Sequence, residues 1–424
     1  MGCTLQTGFM AALIVSGGGS LRQAARDLTL VIACAPLVYY AIATLATARF
    51  FSRERKKKFG SYCPPVSVLK PVRGVDFASY ENFRSFCLQD YPEYEILFCV
   101  NDLQDTAVPL IQKLMAEFPR RSIRLLSNAP QLGSNRKVNN LALAAREAKY
   151  ELLMQSDGDV RVSANYLREM AALFEGAESG VVSCFYRGVT QKNVWAEIEA
   201  LGAASDFAPS VLVADWLEGV KFALGASVAT TKPWLAKIGG YEALANVLAD
   251  DYEIGNRVAK CGGRVMVSRE VVATMYPKLT FREFWEHQSR WARTVRLCRP
   301  ASYVGLLFTH GLFWAVIGAL ASFSRAGTAF FFGSYLVLRL VLAWTAGVWG
   351  LRDETSRMKW WLVPARDAMH FAVWMGSFFS NRIKWGQAEF RLTASGEMIA
   401  VGMTNGQKNA AQPQPAVDGV EKGV

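Results

Sequence analysis

Histidine is nearly absent from this chain: His287, His310 and His370 are all it has in 424 residues. So low a count argues against a histidine-rich zinc site. Its eight cysteines (Cys3, Cys34, Cys63, Cys87, Cys99, Cys184, Cys261, Cys298) are scattered, with no Cys-x-x-Cys pair among them. Several lie inside apolar runs, where a free cysteine acts as a small hydrophobe. The pattern fits a reducing compartment and offers no disulfide framework. Zinc-finger spacing and RNA-binding aromatic motifs are also missing, so the net charge of +11 is not read as a nucleic-acid surface. Basic residues beside membrane segments, drawn to anionic lipid headgroups, account for it more simply. The chain is 51% hydrophobic with mean hydropathy +0.13, yet 20% of it is charged, too much for a wholly embedded protein. A soluble domain with membrane segments fits these numbers.

The apolar runs set the organisation. After a first segment, 1–27, that carries little signal, residues 28–51 are nearly unbroken apolar sequence, long enough to span a bilayer. Arg53, Arg55, Lys56, Lys57 and Lys58 follow at once, which makes this flank cytoplasmic by the positive-inside rule and the segment an anchor rather than a cleaved signal. From 65 to 300 short apolar strands (Val66–Leu69, Tyr94–Val100, Ile123–Leu126, Glu151–Met154) alternate with helical patterns (Glu81–Leu88, Ala107–Phe118, Val138–Ala148). That alternation predicts a mostly parallel α/β sheet, whose ligands bind at the carboxyl ends of the strands. Spans are expected at 301–323 and 328–350, the latter with Arg339 at mid-depth, where a charge is usually functional or paired. The stretch 360–380, carrying Arg366, Asp367 and His370, is read as spanning or re-entrant. Residues 401–424, rich in Gly, Gln, Asn and Pro, read as a disordered tail.

Acidic groups punctuate this frame. Asp157-Gly158-Asp159 follows a strand, and two carboxylates one residue apart suit a hard divalent cation, Mg²⁺ or Mn²⁺. Such a cation would neutralise a leaving diphosphate. A surface Asp-Gly turn is the ordinary alternative. Asp102 follows another strand and could accept hydrogen bonds from a nucleotide base or ribose, or be a plain loop residue. The polar loop 133–140 opens a helix, and its Lys137 could reach a phosphate or the base. Asp250 and Asp251 are adjacent, so mutual repulsion predicts a raised pKa for one, as suits a general base. An acidic helix start is the competing reading. They follow an apolar run, 244–249, read as helical. His287, Arg290 and Trp291 lie in an amphipathic stretch with an interfacial composition. There Arg290 could pair with diphosphate oxygens and Trp291 line an acceptor tunnel.

Together these strings resemble glycosyltransferases of the family 2 type with a GT-A fold. More closely they resemble the ceramide glucosyltransferase family (family 21), including its bacterial relatives that glycosylate hopanoids. The resemblance runs from about Pro65 to about Gly396. It is carried by Tyr91-Pro92, 98–102, 135–141, 157–162, Ala249-Asp250-Asp251-Tyr252 and Arg290-Trp291. It implies that Asp102 contacts the nucleotide, that Asp157 and Asp159 form the metal pair, and that Asp251 is the catalytic base. Arg290 and Trp291 match the end of a Gln/Arg-x-x-Arg-Trp motif, with His287 standing where the family has Gln or Arg. That substitution, like the string Cys184–Gly188, resembles the hopanoid branch.

The expectation is therefore an integral membrane enzyme with a cytoplasmic catalytic domain, in a bacterial inner membrane. It would move a hexose from UDP-glucose or UDP-N-acetylglucosamine to a lipid hydroxyl with inversion. The acceptor would be ceramide or, alternatively, a bacteriohopanetetrol-type hopanoid taking N-acetylglucosamine. A non-catalytic lipid-binding scaffold is the alternative from another class. A processive polysaccharide synthase and a polyprenyl-phosphate sugar synthase are further readings; the first would need more spans and the second need not carry Arg-Trp. The enzyme reading requires Asp251 to lie near the Asp157 cleft.

Overall fold

The computed structural model describes residues 21–52, 62–176, 179–385 and 388–401. The expected first segment (up to residue 20), the basic flank from Arg53 and the tail beyond 401 lie outside them. Eight strands form one mixed sheet: β1 (Val66–Pro71), β2 (Tyr94–Cys99), β3 (Ser122–Leu126), β4 (Leu152–Ser156), β5 (Val160–Arg161), β6 (Ser179–Thr190), β7 (Ser227–Thr231) and β8 (Arg264–Tyr276). Their order is β3-β2-β1-β4-β7-β6-β8-β5. The strands β3, β2, β1 and β4 run parallel, as the alternation of strands and helices predicts. β1, β2 and β4 are buried at every position, so they read as continuous apolar runs rather than alternating ones. Being parallel, they bring Pro71, Cys99 and Ser156 to one edge.

β7 reverses direction against β4, and Ser227 pairs with Ser156. This reversal matters for function. It brings the chain entering β7 back to the same edge, where the Asp157 N–H donates to the Ala226 carbonyl (3.2 Å).

Two helices are long and apolar enough to cross a membrane, Leu21–Ser52 and Arg325–Gly350. The first starts before the predicted residue 28. In place of one straight helix over 301–323 there are two pieces, Pro300–Thr309 and Gly311–Ser322, meeting at 52°. The break is held by one hydroxyl: Tyr40 donates to the Thr309 carbonyl (3.2 Å) and accepts the Gly311 N–H (3.1 Å). A Cβ at residue 311 would sit 2.3 Å from that oxygen, so the close approach needs glycine. Residues 360–379 are continuously helical (Trp360–Leu362, Val363–Gly376, Ser377–Phe379), and this run, which carries Arg366 and Asp367, is not among the helices both long and apolar enough to cross.

Arg339, the charge at mid-span, is paired. It bonds both Asp367 oxygens (Nη2–Oδ1 2.8 Å, Nε–Oδ2 3.0 Å), the Ser205 carbonyl (3.1 Å) and Asp206. Tyr335 donates to Asp367 (2.8 Å), and Arg366 donates to Asp206 (2.9 Å) and to Gln288 Oε1 (2.7 Å). The network ties the Arg325–Gly350 helix to the Phe281–Cys298 helix.

Near the C-terminus, β9 (Arg382–Trp385), β10 (Ala388–Leu392) and β11 (Met398–Ala400) form a small antiparallel sheet. It accounts for a second difference from expectation, because the run 244–249 is not a helix. After a short turn, Glu242–Leu244, the Asn246 carbonyl accepts the Met398 N–H (2.9 Å), and the Leu248 N–H donates to Gly396 (3.3 Å). Those backbone groups are spent on the small sheet and cannot close a helical turn.

Replacing Arg339 by leucine would leave Asp206 and Asp367 buried without their shared cation. Breaking a buried pair this way costs about 3–5 kcal/mol. The Arg339→Leu protein is expected to lose folded, monodisperse material in detergent at temperatures the parent survives, as read by size exclusion after heating.

Candidate active site

The site is assembled at the edge where β1, β2 and β4 end. Asp157-Gly158-Asp159 turns directly out of β4 and into β5. Behind the turn lies Lys70, a fully buried lysine inside an otherwise nearly apolar strand. Its ammonium donates to the Asp157 carbonyl and, at 3.4 Å, to the Val160 carbonyl, and it lies 4.1 Å from the Phe86 ring centroid. Burial pulls its pKa down to about 7 against the pull of Asp159, Asp157 and Asp76. Lys70 was not among the residues singled out above. A cation in a buried strand is the signal that could have found it.

Facing the turn, Asn135 caps the helix Arg136–Glu147 by accepting the Val138 N–H (3.2 Å), and its Nδ2 donates to the Val247 carbonyl (2.8 Å). The cap fixes the first helical turn and so aims Lys137. Lys137 Nζ lies 2.8 Å from Asp157 Oδ1 and 3.4 Å from Asp250 Oδ2. One ammonium thus joins the two acidic motifs. Burial opposes its charge, but Asp157, Asp250 and Asp251 together raise its pKa well above the lysine norm.

Asp250 and Asp251 open the helix Asp250–Lys260. Both readings of this pair hold together, the acidic helix start and the raised pKa. Burial first, then Asp250, push Asp251 up to about 6, while Lys137 pulls it down. A Cβ on Gly225 would lie 2.5 Å from Asp251 Oδ2, so the strand-entry loop packs directly on this carboxylate. Burial and Asp157 push Asp159 up to about 7. Asp251 therefore lies beside the Asp157 cleft, as required.

The Phe281–Cys298 helix forms the opposite wall. It begins with a capping box, in which Thr280 accepts the Glu283 N–H (3.3 Å) and Glu283 accepts the Thr280 N–H (2.8 Å). Arg290 lines the cavity, and its guanidinium makes no hydrogen bond or ion pair among the described residues; burial lowers its pKa against the pull of Glu199. Trp291 and His287 line the same cavity, their rings 5.4 Å apart. His287 Nδ1 is 2.5 Å from an oxygen of Glu199, a second residue the sequence reading missed.

Asp102 is not in this wall. It is exposed and its carboxylate accepts the Gln104 N–H (2.7 Å), an Asx turn that directs it away. Asn101 lines the cavity in its place and accepts from Asn140 (3.2 Å). Asp105, three residues on, accepts the N–H groups of Gly74 (2.9 Å) and Ala107 (2.9 Å), and so braces the loop after β1. The other predicted residues, Lys137, Asp157, Asp159, Asp250, Asp251, His287, Arg290 and Trp291, all line one cavity of about 1840 Å³. Apolar side chains line the same cavity, among them Tyr39 of the first long helix, Phe207, Val211, Leu217 and Leu306.

Known proteins similar to this chain include glycosyltransferases. Ceramide glucosyltransferase 3 of Caenorhabditis elegans is 29% identical over 289 residues, 65% of this chain and 61% of that protein. This chain therefore matches less than two thirds of that relative's length. Ceramide glucosyltransferase 1 of the same organism is 24% identical over 346 residues, 79% of this chain and 73% of the other. Among solved structures, the mannosyltransferase PcManGT from Pyrobaculum calidifontis, in complex with GDP-Man and Mn²⁺, aligns with a TM-score of 0.48 and 17% identity. That alignment covers 83% of this chain and 99% of that one. The α/β architecture with a largely parallel sheet half, expected from the sequence, is the one found. The family model for glycosyl transferase family 21 matches residues 28–398, and the chain belongs to that family.

Proposed function

We propose that this protein is an inverting membrane glycosyltransferase that moves a hexose from a UDP-sugar to the hydroxyl of a membrane lipid of the ceramide kind. The observation that carries the reading is that one cavity is lined both by Asp157, Asp159, Asp251, Lys137 and Arg290 and by apolar side chains, including Tyr39 of the first long helix and Leu306. A charged donor and an apolar acceptor need such a mixed lining. A scaffold that only bound lipid would have no use for the acidic residues. The relatives named above carry ceramide in their names, which gives a hopanoid acceptor no comparable support.

The chemistry follows from the side chains. Asp251 takes the proton of the lipid hydroxyl as its oxygen attacks the anomeric carbon, the bond from that carbon to the diphosphate oxygen breaks, and UDP leaves with the electron pair. Lys137 and Arg290 are the cations placed to balance the diphosphate charge. Asp157 and Asp159 would hold the divalent Mg²⁺ or Mn²⁺, which when bound withdraws charge from the leaving group. Two hard carboxylate donors one residue apart fit such an ion in kind; no group of three or more His, Cys, Asp or Glu placed to hold a metal occurs among the described residues, so water and phosphate oxygens would have to complete its shell. His287 and Trp291 face the acceptor. The positive-inside flank at Arg53–Lys58 supports a cytoplasmic catalytic domain.

Four outcomes follow. Asp251→Asn is expected to reduce sugar transfer at least ~100-fold, the range for loss of a general base, with UDP-sugar binding retained; transfer within a few-fold of the parent would remove Asp251 from the role. In the parent, kcat/KM should rise with pH through an apparent pKa near 6 and then level off, because the base must be ionised. Lys137→Met should move that midpoint upward, since the lysine holds the Asp251 pKa down. Gly225→Ala forces the Asp251 carboxylate aside and should lower kcat by about tenfold or more while the melting temperature changes little.

A further inference from the structure

Glu199 lies in the helix Val194–Gly202 and lines the cavity with its side chain 2% exposed. Neither carboxylate oxygen has a hydrogen-bond partner among the described residues; one lies 2.5 Å from His287 Nδ1, and Arg290 feels the same negative charge. A carboxylate taken out of water without a full set of partners is costly, so what it does for the groups it faces explains its place. His287 is only 30% exposed on its side chain, lines the same cavity, and has no hydrogen-bond partner for Nε2 among the described residues. Its ring cannot easily swing away. Trp291 packs against it, and the next residue, Gln288, is held by Arg366 at 2.7 Å.

We propose that Glu199 is a positioning residue for the acceptor lipid. Its carboxylate holds the proton of His287 on Nδ1, so that Nε2 faces the cavity as a bare hydrogen-bond acceptor for a hydroxyl or amide N–H beside the reacting hydroxyl. This rests on the transfer reading above and extends it to acceptor choice. A carboxylate at one ring nitrogen fixes the tautomer, and the other nitrogen then carries a lone pair. A lone pair backed by a carboxylate attracts a neutral donor and repels phosphate oxygens. The site therefore selects a neutral lipid alcohol over a lipid phosphate.

With three histidines in the chain, ¹⁵N-histidine spectra of the full-length protein in nanodiscs resolve the question without turnover. At pH 8 the parent is expected to show His287 with its proton on Nδ1, and a short-chain ceramide should shift the Nε2 signal while a polyprenyl phosphate does not. Glu199→Leu, which replaces the charge by an apolar side chain, should release the tautomer. It should also raise the ceramide KM about tenfold, the worth of one neutral hydrogen bond at the upper end, with the UDP-sugar KM unchanged. His287→Gln should weaken ceramide binding comparably, and Glu199→Leu added to it should cost nothing further. A proton on Nε2 in the parent, a lipid phosphate shifting the signal as ceramide does, or a Glu199→Leu effect on donor KM alone would each overturn the proposal. If the spectra are as expected but the parent forms no glycolipid from any pair, the transfer reading fails and the histidine assignment stands.

Discussion

One ammonium group holds the site together. Lys137 is aimed by the Asn135 cap, contacts Asp157 at the end of β4, and reaches Asp250 at the start of a helix almost a hundred residues later in the chain. Without that cation the edge of the sheet would gather Asp157, Asp159, Asp250 and Asp251 in a partly desolvated cleft with no compensation. Even with it, Asp159 and Asp251 stand above the ordinary carboxylate range. Carboxylates raised in the folded state favour folding most at low pH, and that contribution is lost as pH rises through about 6 and about 7. The site thus gives up stability at neutral pH in return for a base poised to accept a proton and a charge deficit that a donor's cationic partners can fill.

The second constraint is the join between the catalytic domain and the membrane helices. Arg339 sits on a long apolar helix, yet its partners Ser205 and Asp206 lie between the helix bearing Glu199 and the helix Ala208–Glu218 that lines the cavity. Through Arg366 the same network reaches Gln288, one residue from His287 and two from Arg290. A polar network buried this deeply is fully bonded or costly. It consequently fixes the distance between the membrane helices and the polar cleft. For a reaction that must bring a membrane-held hydroxyl to a water-soluble donor, that distance is what the fold has to set.

Much of this was legible in the sequence because the strands are apolar runs and the acids directly follow them. Asp157, Asp250, Asp251, Lys137, Arg290 and Trp291, all singled out by the pattern, line one cavity. The misses have physical reasons. Asp102 is turned outward by its own bond to the Gln104 N–H, a local choice that spacing does not reveal. The bend between Thr309 and Gly311 depends on Tyr40, some 270 residues away in sequence. Residues 246–248 are drawn from a helix into pairing with a sheet formed near the C-terminus. Glu199 and Lys70 are charges inside apolar elements, and only the tertiary packing shows what each one faces.

The account stands or falls on the chamber joining donor chemistry to a lipid acceptor. The direct test is to supply membranes containing this chain with labelled UDP-glucose or UDP-N-acetylglucosamine, together with ceramide or a hopanoid polyol, and to identify the product by mass. The account predicts a ceramide hexoside formed with inversion, absent when Asp251 is asparagine. Free sugar or lipid-phosphate sugar as the only product, with folded protein present, would contradict it.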